Sequence, residues 1–153
     1  MRFKILTCSA FLLILVTNIF AGNDPEITKY YKDLPFEMPA IKVPVFNKDT
    51  VNIKKFGAVG DGAVMNTQAI NNAIKQCSEN GGGTVIVPAG IWLTGPIKLQ
   101  NNVNLHLERR ALLQFSPHFK DYPLIRNTWE GLEAVRCTPP ISGFNLQNIA
   151  ITG

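Results

Sequence analysis

Two hydrophobic rhythms divide the chain. Ala69, Ile70, Ala73, Ile74 and Cys77 recur at the three- and four-residue spacing of a helix with one apolar face. Asn66 or Thr67 stands where a side-chain oxygen can cap that helix, and Asn80-Gly81 stands where a left-handed residue can end it. After Gly83 the rhythm changes to short runs of strand character: TVIVP, IWLTGPI, VNLHLE and ALLQFS, with two to five residues between them. VNLHLE alternates, so that Val103, Leu105 and Leu107 face one way and Asn104, His106 and Glu108 the other. Ahead of the helix, Val51, Ile53 and Phe56 suggest a short strand, followed by a loop on Gly57, Gly60 and Gly62.

The strands lack the crossover helices that an ordinary parallel sheet needs for each return. Two arrangements stay open. One is a set of hairpins turning at Pro88-Ala89-Gly90 and at Glu108-Arg109-Arg110; the other is a parallel solenoid. An internal echo supports the second: LQNNVNLHL at 99–107 resembles LQNIAITG at 146–153, which puts Asn102-Val103 and Asn148-Ile149 two turns apart in a coil of about 23 residues. Phosphate-cradling loops run strand, glycines, helix, so that the helix start faces the anion. Gly81-Gly82-Gly83 has the reverse order, and Gly60-Asp61-Gly62 lacks the spacing of a nucleotide fingerprint. Both read as tight corners.

The N-terminus changes the setting. Arg2 and Lys4 precede a mostly apolar stretch to Phe20, small residues follow at Ala21-Gly22, and Asn23-Asp24-Pro25 ends the apolar character. Residues 1–21 are therefore expected to be an export signal, with a periplasmic, secreted or extracellular destination and no membrane association after its removal. Residues 22–50, with Pro25, Pro35, Pro39 and Pro44, read as an extended arm anchored by Phe36, Met38, Ile41 and Val45. Residues 51–153 hold the helix and the strands and suit one domain, or one piece of a longer one. Without Arg2 and Lys4 the net charge falls from +4 to +2, which argues against a dedicated nucleic-acid binder. Cys77 and Cys137 are too few for a disulfide framework, and whether they pair is open.

The ordered series FGAVGDG, NTQAINNAI, CSENGGGTVIVPAG, WLTGPIKLQNNVNLHLE, LLQFSPHFKDYP and NIAITG resembles the N-terminal portion of glycoside hydrolase family 28, over residues 33–153. These are the polygalacturonases and related pectin-degrading hydrolases. Asn66-Thr67 is similar to the hydrolases, whereas Arg109-Arg110 departs from a family glycine turn. The resemblance implies a mainly β fold, a right-handed parallel β-helix of the pectin-lyase-like kind whose first coils carry an N-terminal capping helix. All strands from Thr84 to Gly153 are then expected to run in one sense.

The implied activity is inverting hydrolysis of galacturonan-type pectic polysaccharide, with polygalacturonate as partner and no cofactor or metal. Inversion needs two carboxyl groups about 6.5–9.5 Å apart across the scissile bond. The family draws them from Asn-Thr-Asp and paired-Asp motifs, followed by Gly-His-Gly and Arg-x-Lys, and none of these occurs in residues 1–153. No catalytic residue is assigned, and the 153 residues alone are expected to be an inactive fragment that aggregates edge to edge. Asp61, Asp121, Glu130 and Glu133 read as loop and surface carboxylates, His106 as solvent-facing and His118 as a turn residue. Trp92 and Trp129 could stack on sugars, with Trp92 assigned to the core; Lys54-Lys55 and Arg109-Arg110 could attract a polyanion. The rivals are a non-catalytic carbohydrate-binding or scaffold β-helix, such as an adhesin, and a cation-dependent lyase.

Overall fold

The computed structural model describes residues 29–30, 32–38 and 42–153, so the export signal read at 1–21, and Ile41 of the arm, lie outside the described residues. The chain divides into Met1–Val43 and Pro44–Gly153. In the first unit Phe36 and Met38 are exposed and do not act as buried anchors. In the second, Val45 also exposes its side chain. What holds it is its backbone: its N–H donates to Asn148 Oδ1 at 2.9 Å, and its carbonyl accepts from Asn148 Nδ2 at 2.7 Å. An extended segment presents a free donor and acceptor at each residue, so one amide side chain can hold it without apolar burial.

The second unit opens with β1 (Thr50–Asn52), then a single 3-10 turn at Ile53–Phe56 and helix α1 (Thr67–Glu79). Ile53 and Phe56 therefore sit in a turn and not in the strand read from the sequence; Asn52 Oδ1 breaks the ladder by accepting from Lys54 N. Then follow β2 (Gly83–Val87), β3 (Gly90–Thr94), β4 (Ile97–Lys98), β5 (Val103–Leu107) and β6 (Ala111–Phe115). Beyond them lie β7 (Leu124–Trp129), β8 (Leu132–Cys137), β9 (Ile141–Ser142) and β10 (Ala150–Thr152).

Three ladders are wholly parallel. The first has the order β1-β2-β5-β10, the second pairs β3 with β6, and the third pairs β4 with β9. Successive strands leave one sheet, pass through the next two and return to the first, so the hairpin alternative fails for β2 to β6. Register follows from the alternation. Val51, Val85, Leu105 and Ile151 form one column through the first ladder. Val85 and Leu105, in its middle, are wholly buried. Each such aliphatic side chain contributes about 1.5–3 kcal/mol by leaving water.

The echo at 99–107 and 146–153 is a true structural repeat, but of one coil and not two. Ala150, Ile151 and Thr152 pair directly with Asn104, Leu105 and His106. The extra length between the copies is taken up by β7 and β8, which pair antiparallel from Leu124↔Cys137 to Trp129↔Leu132. This hairpin corrects the expectation that every strand after Thr84 runs in one sense. Its turn is Glu130-Gly131, both at positive φ, as tight hairpins require.

Helix α1 buries Ile70, Ala73, Ile74 and Cys77 in the same core as Val85, Trp92, Ile97, Val103 and Leu105. Its polar flank is tied down as well. Asn71 Oδ1 accepts from Lys98 N at 2.8 Å, Asn71 Nδ2 donates to Pro96 O at 2.9 Å, and Ser78 Oγ donates to Asn101 O at 2.8 Å. At its C-terminus the N–H groups of Gly81 and Gly82 donate to Ser78 O and Cys77 O, the paired bonds of a glycine-terminated helix.

The triple glycine is a corner made necessary by its neighbours. A Cβ on Gly82 would strike the Asn102 carbonyl, and one on Gly83 would strike the Asp49 carbonyl. Both residues are also at positive φ. Gly83 N–H donates to Asn102 O and Thr84 N–H to Asp49 O, each at 2.9 Å, so the rungs touch through backbone alone. At the same corner of the next two rungs Asn102 and Asn148 take over the left-handed conformation. Asn tolerates that region because its short side chain bonds locally, and Asn148 Nδ2 reaches Asn102 Oδ1 at 3.2 Å.

Candidate functional site

Each candidate residue now has a location. Asp61 accepts from the N–H groups of Ala63 and Val64 at 2.8 and 2.9 Å. The bond from Val64, then that from Ala63, hold its carboxyl below the usual value, in line with a loop-holding role. Asp121 lies in a 3-10 turn (Phe119–Asp121), and its carboxylate accepts from the buried Ser116 hydroxyl. Tyr122 donates to Ser116 O at 2.8 Å, and burial, then the Asp121 charge, push its phenol up. Glu130 and Glu133 belong to the hairpin, one in its turn and one on β8, and not to an irregular loop. These acids sit on separate elements.

His106 is half-buried on the outer face of β5, where Nδ1 meets Thr152 Oγ1 at 2.8 Å. Thr152 Oγ1 donates onward to Asn104 Oδ1 at 3.0 Å. The histidine thus ties one rung to the next, a partner that its own strand could not reveal. His118 precedes the Phe119–Asp121 turn and donates its N–H to Ser116 Oγ. Among the described residues no group of three or more His, Cys, Asp or Glu side chains converges as a metal site. Cys77 is buried and Cys137 exposed, and they do not pair. Burial, then the Asp49 charge, raise the Cys77 thiol.

Asn66 differs from its expected role. It makes no capping bond to α1, because its side chain turns inward and is buried. There it accepts from Val59 N at 2.7 Å and donates to Val59 O, Val64 O and Leu93 O at 2.9, 2.7 and 3.2 Å. Thr67 reaches the residue just past β3, accepting from Gly95 N at 2.5 Å. The pair clips the glycine loop and the helix start onto the second ladder.

The tryptophans part company. Trp92 is wholly buried and donates Nε1–H to Pro88 O at 2.7 Å, as a core indole must find a partner. Trp129 is 54% exposed on the hairpin, with the Arg136 guanidinium 4.0 Å from its ring centroid. Lys54 lies 5.9 Å from the Trp92 ring, and Arg109-Arg110 forms the corner before β6, where Arg110 is at positive φ without the glycine that would remove the strain.

Open grooves lie along the hairpin, which sequence reasoning had passed over. One groove of about 700 Å³ lies between β7 and the β4–β9 rung, with Lys98, Gln100, Arg126, Asn127, Ser142 and Phe144 in its wall. A second, of about 610 Å³, continues past Arg126 and Phe144 to Thr128, Glu133 and Val135. The available signal was LIRNTW-EG-LEAVRC, two alternating runs around a Glu-Gly turn.

The chain is mainly β with parallel, in-register rungs, and residues 50–113 match the family model described as rhamnogalacturonase A/epimerase, pectate lyase-like. The chain is 37% identical over 112 residues to a probable polygalacturonase of Vitis vinifera, covering 68% of this chain and 23% of that protein. It is 33% identical over 101 residues to an exo-poly-alpha-D-galacturonosidase of Dickeya chrysanthemi, covering 66% of this chain and 16% of the relative. Among solved structures, an exopolygalacturonase from Thermotoga maritima superposes with a TM-score of 0.66 at 35% identity, covering 72% of this chain and 25% of that one. Its matched residues are similar to those of polygalacturonases, as the sequence resemblance held. It spans about a quarter or less of the length of these relatives.

Proposed function

We propose that this chain supplies the first coils of a right-handed parallel β-helix in an exported hydrolase of galacturonan-type pectic polysaccharide. One observation carries the reading: an all-parallel, in-register stack lies in a chain 35% identical to a solved exopolygalacturonase over 72% of its length. Right-handed winding is the sense that twisted strands favour when a connection returns to a parallel neighbour. Helix α1 acts as the cap, because the first coil of a stack has no neighbour on one side and must cover its apolar end. The apolar face of α1, packed into the core, supports that role.

Cleavage proceeds by inversion in the protein that carries these coils, through two carboxyl groups flanking an attacking water. Asp61, Asp121, Glu130 and Glu133 take no part in it. Asp61 and Asp121 are engaged by loop and turn donors, and the two glutamates stand on the exposed hairpin. Incubating the secreted protein with polygalacturonate should release saturated reducing ends whose first-formed anomer, read by NMR, is inverted. The 153 residues alone should release none. Ultraviolet-absorbing unsaturated ends would mean a lyase, and binding without release by the secreted protein would mean a scaffold; either outcome rejects the hydrolase.

A further inference from the structure

The groove at the hairpin base has a lining of one sign. Lys98 and Arg126 both stand in it, no carboxylate is in its wall, and among the described residues no salt bridge engages either cation. Gln100, Asn127 and Ser142 supply neutral donors and acceptors between them, and Phe144 offers a ring that is 85% exposed. The parallel rungs bury an inward row of apolar side chains, Val85, Trp92, Val103 and Leu105 among them, whereas on the hairpin Leu124, Trp129, Leu132 and Val135 are all exposed. A two-stranded hairpin with both faces wet is marginal by itself. Its base, seated against the β4–β9 rung, is the part whose geometry a folded coil can hold.

We propose that this groove is a binding subsite for an acidic oligosaccharide built of uronic acids. The carboxylate of one residue sits between the Arg126 guanidinium and the Lys98 ammonium, and its sugar ring lies on Phe144. A guanidinium fork matches a carboxylate with two parallel hydrogen bonds, and an ammonium adds a point charge. The amides and the hydroxyl pair with sugar hydroxyls, which both donate and accept. The groove's 700 Å³ lies within the range of about 300–1,000 Å³ usual for small-ligand sites. The second groove continues from Arg126 toward Thr128 but carries Glu133, which would repel the carboxylate of a further uronic acid residue, so the two cations at the base define the favoured position for the bound acid group. This assignment rests on the pectic-substrate reading and adds where and how the acid is held.

Calorimetric titration of the protein with trigalacturonate tests it. Replacing both cations, Lys98→Gln with Arg126→Gln, should weaken binding about tenfold or more. Phe144→Ala should weaken it by roughly fivefold. The fully methyl-esterified trimer should bind the unaltered protein no better than the free acid binds the double variant. Lys75→Gln, on the exposed flank of α1, is the control and should change nothing. Melting curves establish that each variant is folded. The subsite is rejected if the unaltered protein does not bind the trimer, if the double variant binds it equally well, or if inorganic sulfate competes as strongly as the trimer. Hydrolysis of polygalacturonate by the secreted protein is measured separately. If it persists unchanged in the double variant, the groove falls while the hydrolase reading stands.

Discussion

The rungs β1 to β6 and the hairpin β7–β8 are built from the same residue types by opposite rules. In the first ladder β2 borrows its core from the strands on either side: Val85 is closed off by Val51 and Leu105, neither of them near it in sequence. In the hairpin each strand has one partner, and every residue of β7 is exposed. Trp92 and Trp129 carry the contrast in a single side chain. Stacking converts apolar residues into stability, and the hairpin, which leaves the stack, keeps Trp129 and Arg136 available to solvent.

The sharpest way to break that contrast is to truncate both tryptophans. Trp92→Ala should cost about 3–5 kcal/mol, since it empties a wholly buried site and orphans the Pro88 carbonyl. Trp129→Ala should cost less than about 1 kcal/mol, the value of an exposed ring contact with Arg136. Denaturant titration of both measures the difference; equal losses would mean that the hairpin is part of the cooperative core.

Next in size is Asn66→Ala. It removes a buried amide that serves Val59, Val64 and Leu93, and should cost about 2 kcal/mol by leaving those backbone groups unpaired. An ordinary helix cap would cost about 1 kcal/mol and leave the 59–64 loop ordered. Amide exchange at Val59 and Val64 separates the two readings.

Arg110→Gly tests the corner in the other direction. It relieves a left-handed non-glycine residue and should stabilise the rungs by up to about 1 kcal/mol, seen as a rise in melting temperature. The smallest effect concerns Asp61. Its folded carboxyl is held low by loop N–H groups, so the stability it lends is complete above the unfolded value of about 3.9 and is lost as pH falls through the lower folded value. Asp61→Asn should flatten that acid-side loss, read as a smaller change in amide protection at Ala63 and Val64 between neutral and acid pH than in the unaltered protein.

Much of this architecture was legible because it depends on local chemistry. The helix stripe from Ala69 to Cys77 is a period that α1 obeys, and the alternation of Val103, Leu105 and Leu107 is a period that β5 obeys. The Asn102–Asn148 echo was legible as a repeat but miscounted, because 46 residues divide evenly into two average coils and equally well into one coil with an insertion. The hairpin was missed since its alternation puts apolar residues on both faces, which resembles a solvated loop until its partner strand is known. Asn66 was misread for a related reason. A residue before a helix is a cap by position, and only the approach of Leu93, twenty-seven residues away, turns its amide inward.

The sequence by itself determined the helix, the strand character of β2, β3, β5 and β6, the inward residues of β5, and that the glycines are corners, because backbone sterics and side-chain periodicity act within a few residues. Tertiary structure alone decided which rung lies on which, which carbonyl forbids a Cβ at Gly82, and that Lys98 and Arg126 share one groove. Those facts depend on distances between residues far apart in the chain, set by how the coils stack and where the hairpin leaves them.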